Sequence, residues 1–281
     1  MTCTESHFTT RDGLKLYFRD YAGPAGPVPI LCLAGSTSNS RSFDDFAPRM
    51  AQTRRVLTMD WRGHGNSDWD PDENNYGFQT DADDVVEFLR RVGVPRAVIV
   101  GTSRGGIIGM VLGLSNPEVL AGVVMNDIGP EIGAGGSKRL RSRSVQDREY
   151  ESFEEAGRTI RENYSTPTPD LDDDYWTRHA TRTCRRFDDG TIRHDYDPGY
   201  GRAFRAGQTR GSLWPAFESL KNIPVLAIRG DQSDILEAAG MAEMKRRKPD
   251  MHTATIPDRN HCPFLDEPES LRAIDAFLAT I

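Results

Sequence analysis

Three residue types that together turn a hydroxyl into a nucleophile stand at turn-like places in this chain: Ser103 in GTSRGG (101–106), His261 in NHCPFLDEPE, and aspartates in MNDIGP and RGDQSDIL. A serine hydroxyl attacks poorly at neutral pH, so it needs a base, and the base needs an acid to orient it. Ser103 follows the apolar run RAVIV at 96–100 and matches Gly-x-Ser-x-Gly as Gly101, Thr102, Ser103, Arg104, Gly105. On a sharp strand-to-helix turn the hydroxyl is left exposed, and flanking glycines let strand and helix approach closely. The helix that follows offers free N–H groups where negative charge on oxygen is stabilised.

Of the six histidines, His261 is the expected base, because it falls after the last apolar run and before the C-terminal helix, at the same edge of a sheet as Ser103. His64 sits inside the turn DWRGHGNSD, and His179 and His194 lie in a charged segment, where packing or solvated roles are expected. For the acid, Asp231 and Asp234 follow the run PVLAIR, and Asp127 follows LAGVVMN. Asp234 is the expected partner. Asp231 is so close to its strand that a turn hydrogen bond suits it better, and Asp127 is the alternative.

The elements that must position these residues alternate. HFTT and LKLYFRDY flank RDG and read as a hairpin. Short runs rich in Val, Ile and Leu follow at 28–35, 54–61, 96–103, 120–127, 224–231 and 251–257, and suit buried parallel strands. Helical spacing is read at 42–50, 80–93, 104–115 and 268–281; the second places Val85, Phe88, Leu89 and Val92 on one face. The fold class is therefore α/β, a mostly parallel eight-stranded sheet flanked by helices.

From 130 to 212 the alternation stops, and Arg, Asp, Glu and aromatic residues dominate. Tyr175, Trp176, Phe187, Tyr196 and Phe204 need something to pack against, so this segment is expected to be a helical cap laid over the sheet after strand 6. The core then comprises 1–129 and 213–281. The cap's mixed charges are expected to form a solvated face with spaced ion pairs.

Composition excludes several classes. A net charge of −7 argues against a nucleic-acid partner. No run approaches the ~20 apolar residues of a membrane span, and MTCTESHFTTRDG lacks the basic and apolar regions of a signal peptide. A cytoplasmic protein acting on a small molecule, as monomer or homodimer, is expected. Cys3, Cys32, Cys184 and Cys262 are scattered, which indicates neither a disulfide framework nor a zinc site.

On GTSRGG, LAGS at 33–36, DWRGHGNSD at 60–68, RGDQSDIL and NHCPFLDEPE, the chain resembles the α/β-hydrolase fold superfamily along essentially its whole length. NDIGPEI, WPAFESLKNIPVLAIRGDQSDIL and DYDPGY resemble a bacterial group of capped, cofactor-free esterases and related hydrolases. The resemblance implies the order Ser103, Asp234, His261, and an oxyanion hole from the backbone N–H groups of Ser36 and Arg104. It implies serine esterase activity through an acyl-enzyme, with carbon–carbon, lactone or amide cleavage as alternatives, a non-catalytic small-molecule receptor as the remaining reading, and neither metal nor organic cofactor. Two positions depart from the pattern. Ala34 stands where a histidine commonly braces the oxyanion loop, and Arg104 follows the nucleophile where apolar residues or glutamine are frequent. The Arg104 side chain is expected to form a buried ion pair, with Asp127 as a candidate partner.

Overall fold

The computed structural model describes residues 3–143, 148–164, 168–206 and 212–281. In chain order the strands are β1 (Thr4–Thr9), β2 (Lys15–Tyr21), β3 (Ile30–Leu33), β4 (Val56–Met59), β5 (Ala97–Thr102), β6 (Leu120–Asn126), β7 (Cys184–Arg186), β8 (Ile192–His194), β9 (Val225–Gly230) and β10 (His252–Ile256). The helices are α1 (Phe46–Met50), α2 (Phe78–Arg91), α3 (Arg104–Ser115), α4 (Ala134–Arg143), α5 (Phe153–Tyr164), α6 (Asp173–Thr183), α7 (Pro198–Ala206), α8 (Trp214–Glu218), α9 (Ala238–Arg247) and α10 (Pro268–Leu278). Eight strands form one sheet in the order β1-β2-β4-β3-β5-β6-β9-β10, antiparallel at β1–β2 and β2–β4 and parallel across the rest.

Strand side chains alternate between two cores. Leu31, Leu33, Ile99, Val123, Met125 and Ala227 face one side, against α2, α3, α8 and α9; Ile30, Cys32, Val98, Val100, Val124 and Ile228 face the other, against α1 and α10. Every residue of β3, β4, β6 and β9 is buried, which is why these runs are mostly apolar and not alternating, with Thr58, Asn126 and Arg229 as their buried polar members. The last strand differs from expectation: β10 is an edge strand whose residues are mostly exposed, because only β9 pairs with it.

Between β6 and β9 the chain leaves the sheet. The segment 130–212 expected there includes 144–147, 165–167 and 207–211, which lie outside the described residues. The described part is mainly helical, α4 to α7, but also holds the antiparallel pair β7–β8 that the sequence pattern did not suggest. Its ion pairs are not confined to a solvated face. Arg41 binds Asp195 at 2.7 Å, Arg182 binds Asp45 at 2.6 Å and Arg259 binds Asp170 at 2.6 Å, each tying the excursion to the core. Among the described residues no helix is long and apolar enough to cross a membrane.

Candidate active site

Ser103 ends the β5 turn in a conformation that L-residues avoid, φ 49° and ψ −108°. The turn closes only because its neighbours lack side chains: a Cβ on Gly101 would lie 2.3 Å from the Gly105 carbonyl carbon, and one on Gly105 would lie 2.1 Å from the Leu33 oxygen. The Ser103 amide donates to the Asn126 carbonyl at 3.0 Å, which ties the nucleophile turn to the end of β6.

His261 Nε2 stands 3.0 Å from Ser103 Oγ, and its Nδ1 stands 2.7 Å from Asp127 Oδ2. The carboxylate at His261 is therefore that of Asp127 and not, as expected, that of Asp234. The reason is strand order: β6 lies between β5 and β9, so its end is beside the Ser103 turn. Asp127, with φ 56° and no exposure to solvent, turns its side chain toward β9. There Oδ1 accepts from the Gly230 amide at 2.9 Å and Oδ2 accepts from the Ser233 hydroxyl at 2.5 Å. RGDQSDIL thus contributes Ser233 to the constellation. Asp234 instead lies against the chain leading into α4, where a Cβ on Gly133 would come 2.4 Å from its backbone oxygen. Asp231 does not bond its own turn as expected but accepts from the Arg259 amide, in the loop after β10, at 3.3 Å.

Residues that spacing could not reveal hold the histidine loop. Asn126 Nδ2 donates to the Pro263 carbonyl at 2.8 Å and to Thr102 Oγ1 at 3.1 Å, bridging the nucleophile strand to the residues after His261. The Tyr164 hydroxyl, at the end of α5, accepts from the Asn260 amide at 3.1 Å and donates to the Cys262 carbonyl at 3.1 Å. The backbone on both sides of His261 is thus fixed by one phenol. Cys262 has its carbonyl in this link, and its residue lines the cavity above Ser103.

The loop 34–36 has its brace despite Ala34. Trp61 Nε1 donates to the Ala34 carbonyl at 3.0 Å, and His64 Nε2 lies 3.0 Å from the Ser36 carbonyl. His64 is buried, with its other ring nitrogen 3.1 Å from the Arg62 carbonyl; burial first, and the nearby Arg104 charge second, push its pKa down to about 3. The neutral ring has one N–H, which donates to one of these two carbonyls at a time. The rest of DWRGHGNSD is structural as well. Asp60 accepts from the Ser40 and Asn66 amides at 2.6 and 2.9 Å, and Arg62 clasps Asp84 with two bonds of 2.8 Å.

Arg104 forms the expected buried ion pair, but with Asp81 at the start of α2 and not with Asp127. Its Nε and Nη2 donate to the two Asp81 oxygens at 2.9 and 2.7 Å, and both side chains are 1% exposed. The guanidinium lies 5.0 Å from the Trp61 ring centroid and 4.6 Å from that of Tyr200. Its backbone N–H is at the first position of α3, where amides lack an intrahelical acceptor. Ser36 lies across from it: Gly35 is near enough for a Cβ to stand 3.8 Å from the Ser103 Cβ.

Above Ser103 and His261 is a cavity of about 260 Å³. One wall comes from the core, with Ser36, Phe43 and Phe46; the other comes from the excursion, with Tyr150, Tyr164, Trp176 and His179. Among the described residues no group of three or more His, Cys, Asp and Glu is placed to hold a metal ion.

The model of the Alpha/beta hydrolase family matches residues 30–274. The chain is 28% identical over 278 residues to a 3-hydroxybutyrate-oligomer hydrolase of Cupriavidus necator, covering 94% of this chain and 92% of that one. It is 27% identical over 256 residues to a 2-(acetamidomethylene)succinate hydrolase of Mesorhizobium japonicum, covering 90% and 88%. A crystal structure of an alpha/beta hydrolase from Novosphingobium aromaticivorans superposes with a TM-score of 0.93 at 38% identity, covering 99% of each chain. With the elbow geometry, the sheet order and the family match in agreement, the chain belongs to the alpha/beta hydrolase family.

Proposed function

We propose that the protein is a serine hydrolase that cleaves carboxylic ester bonds of small substrates, with Ser103, His261 and Asp127 as its triad. The observation that carries this reading is the line of hydrogen bonds from Ser103 Oγ through His261 to Asp127, opening onto the floor of the cavity. Ser103 Oγ attacks the ester carbonyl as His261 Nε2 takes the hydroxyl proton, and buried Asp127 holds the ring and steadies the imidazolium. The backbone N–H groups of Ser36 and Arg104 receive the oxyanion, a pair of donors each worth roughly 3 kcal/mol of barrier. Collapse of the tetrahedral species expels the alkoxide, which takes the proton from His261. Water, deprotonated by the same nitrogen, then releases the acid and restores Ser103.

In this reading residues 130–212 act as a cap that shapes the acyl and alcohol pockets. Its support is the wall formed by Tyr150, Tyr164, Trp176 and His179. The relative named for hydrolysing 3-hydroxybutyrate oligomers, whose units are joined by ester bonds, favours the ester. The relative named for 2-(acetamidomethylene)succinate favours a second reading, hydrolysis of a different bond by the same triad. A fluorophosphonate should label Ser103 and abolish turnover of p-nitrophenyl butyrate, and Ser103→Ala should show neither labelling nor turnover. A folded wild-type protein that takes no label and cleaves no ester would overturn the proposal. Labelling with turnover of enamide or diketo substrates alone would select the second reading.

A further inference from the structure

The ionisable groups around the cavity are not balanced. Arg182 is committed to Asp45, with bonds of 2.6 and 3.0 Å. Asp266 accepts the Tyr175 hydroxyl at 3.3 Å, and burial, reinforced by the Glu267 charge, pushes its pKa up, which weakens it as an anion. That leaves Arg148. It lies in the wall of the cavity above Ser103 and also lines the small cavity next to it, beside His194. Its guanidinium is 5.5 Å from the Tyr150 ring centroid, and it has no acidic partner among the described residues.

His179 lines the same cavity, its ring packing edge-on against Trp176 at 5.9 Å and Phe264 at 5.5 Å. Among the described residues neither nitrogen of that ring takes a hydrogen bond. Burial, then the charge of Arg182, lowers its pKa to about 4, so at neutral pH it is an uncharged ring with a donor to offer. Arg148, exposed and with no acidic partner among the described residues, and His179, with a ring donor, line the cavity together with Tyr150, Tyr164, Trp176 and Phe264, and offer an anion a charge and an N–H. A planar carboxylate matches the guanidinium fork.

We propose that the wall carrying Arg148 and His179 is a carboxylate subsite, and that the substrates are esters bearing a free carboxylate beyond the scissile bond. The inference rests on the serine-hydrolase reading and narrows it. A neutral ester of the same shape fills the aromatic chamber but leaves Arg148 without its partner.

The test compares monoethyl succinate with ethyl butyrate, which differ in a terminal carboxylate against a methyl group, with acid release followed by titration. Wild type should favour the half-ester in kcat/KM by about tenfold or more, the size of one charge-assisted hydrogen bond. Arg148→Gln should lower the ratio of the two kcat/KM values about tenfold or more, mainly through KM for the half-ester, and Arg148→Lys should restore part of it. Because the ratio is independent of the active fraction, partial misfolding of a variant does not blur it. A wild type that prefers ethyl butyrate, or a ratio unmoved by Arg148→Gln, overturns the subsite while leaving the serine-hydrolase reading intact. A wild type that cleaves neither ester and takes no fluorophosphonate overturns both.

Discussion

One carboxylate oxygen of Asp127 serves two partners: Oδ2 is 2.7 Å from His261 Nδ1 and 2.5 Å from the Ser233 hydroxyl. Replacing this acid by an amide keeps the shape but presents the wrong hydrogen-bonding group to the ring. Asp127→Asn is expected to lower kcat for p-nitrophenyl butyrate by about 10³- to 10⁴-fold. Asp234→Asn, remote from the ring, should stay within about threefold of wild type. The reverse ranking, measured on variants with wild-type circular dichroism, would disprove the assignment.

The Tyr164 hydroxyl should matter to rate more than to binding. Tyr164→Phe removes the hydrogen bonds of the phenol to the Asn260 amide and the Cys262 carbonyl, a loss of about 1–3 kcal/mol that falls on the loop carrying His261. A drop of about tenfold in kcat, with a parallel slowing of fluorophosphonate labelling, is expected. An unchanged labelling rate would show that this phenol does not position the histidine.

Arg104 should govern stability and not selectivity. Its side chain is 1% exposed and is absent from the cavity wall, so Arg104→Met removes the guanidinium that balances the buried Asp81 carboxylate. Destabilisation of about 3–5 kcal/mol in urea unfolding is expected, part of it recovered when Asp81→Asn is added. Preference across p-nitrophenyl esters of graded chain length should not change. A shifted preference would make the arginine a specificity residue.

Acid should weaken the protein through its buried histidines. His64, His179 and His194 all have folded pKa values depressed, to about 3, 4 and 4, below the ordinary 6.5, first by burial. The unfolded chain therefore binds more protons than the folded one between these limits. The stability they contribute is fully present above about pH 6.5 and is lost as pH falls toward about 4. For His64 alone the slope is about 1.4 kcal/mol per pH unit. Urea midpoints measured from pH 7 to 4.5 should fall, and His64→Phe, if it folds, should fall less steeply than wild type.

Much of the scaffold is legible in residue pattern alone. The α3 helix starts and ends where GTSRGG and the apolar spacing place it, and the runs at 96–103, 120–127 and 224–231 contain β5, β6 and β9. Burial on both faces makes such strands conspicuous. The acid is not legible in the same way, since Asp127, Asp231 and Asp234 all stand at strand ends, and the choice depends on which strand lies beside β5. The partner of Arg104 is hidden because Asp81 meets it across two helices, with no local spacing to mark the contact. The β7–β8 pair carries no strand pattern, because its three-residue strands are largely arginine and histidine, with Ile192 and Cys184 as their buried residues. Tyr164 and Asn126 act through backbone carbonyls and amides, which no side-chain motif records.

Asp127 is the first residue after β6, so nucleophile, acid and the loop 34–36 all belong to the part of the chain made before the excursion begins. Only His261 comes from the far side, 134 residues beyond the acid and 158 beyond the serine. A nascent chain can therefore pair β5 with β6 and set Ser103 beside its acid while the hydroxyl is still inert. The imidazole arrives last, when the segment after β10 docks, so the proposed triad is completed only once the whole sheet is in place.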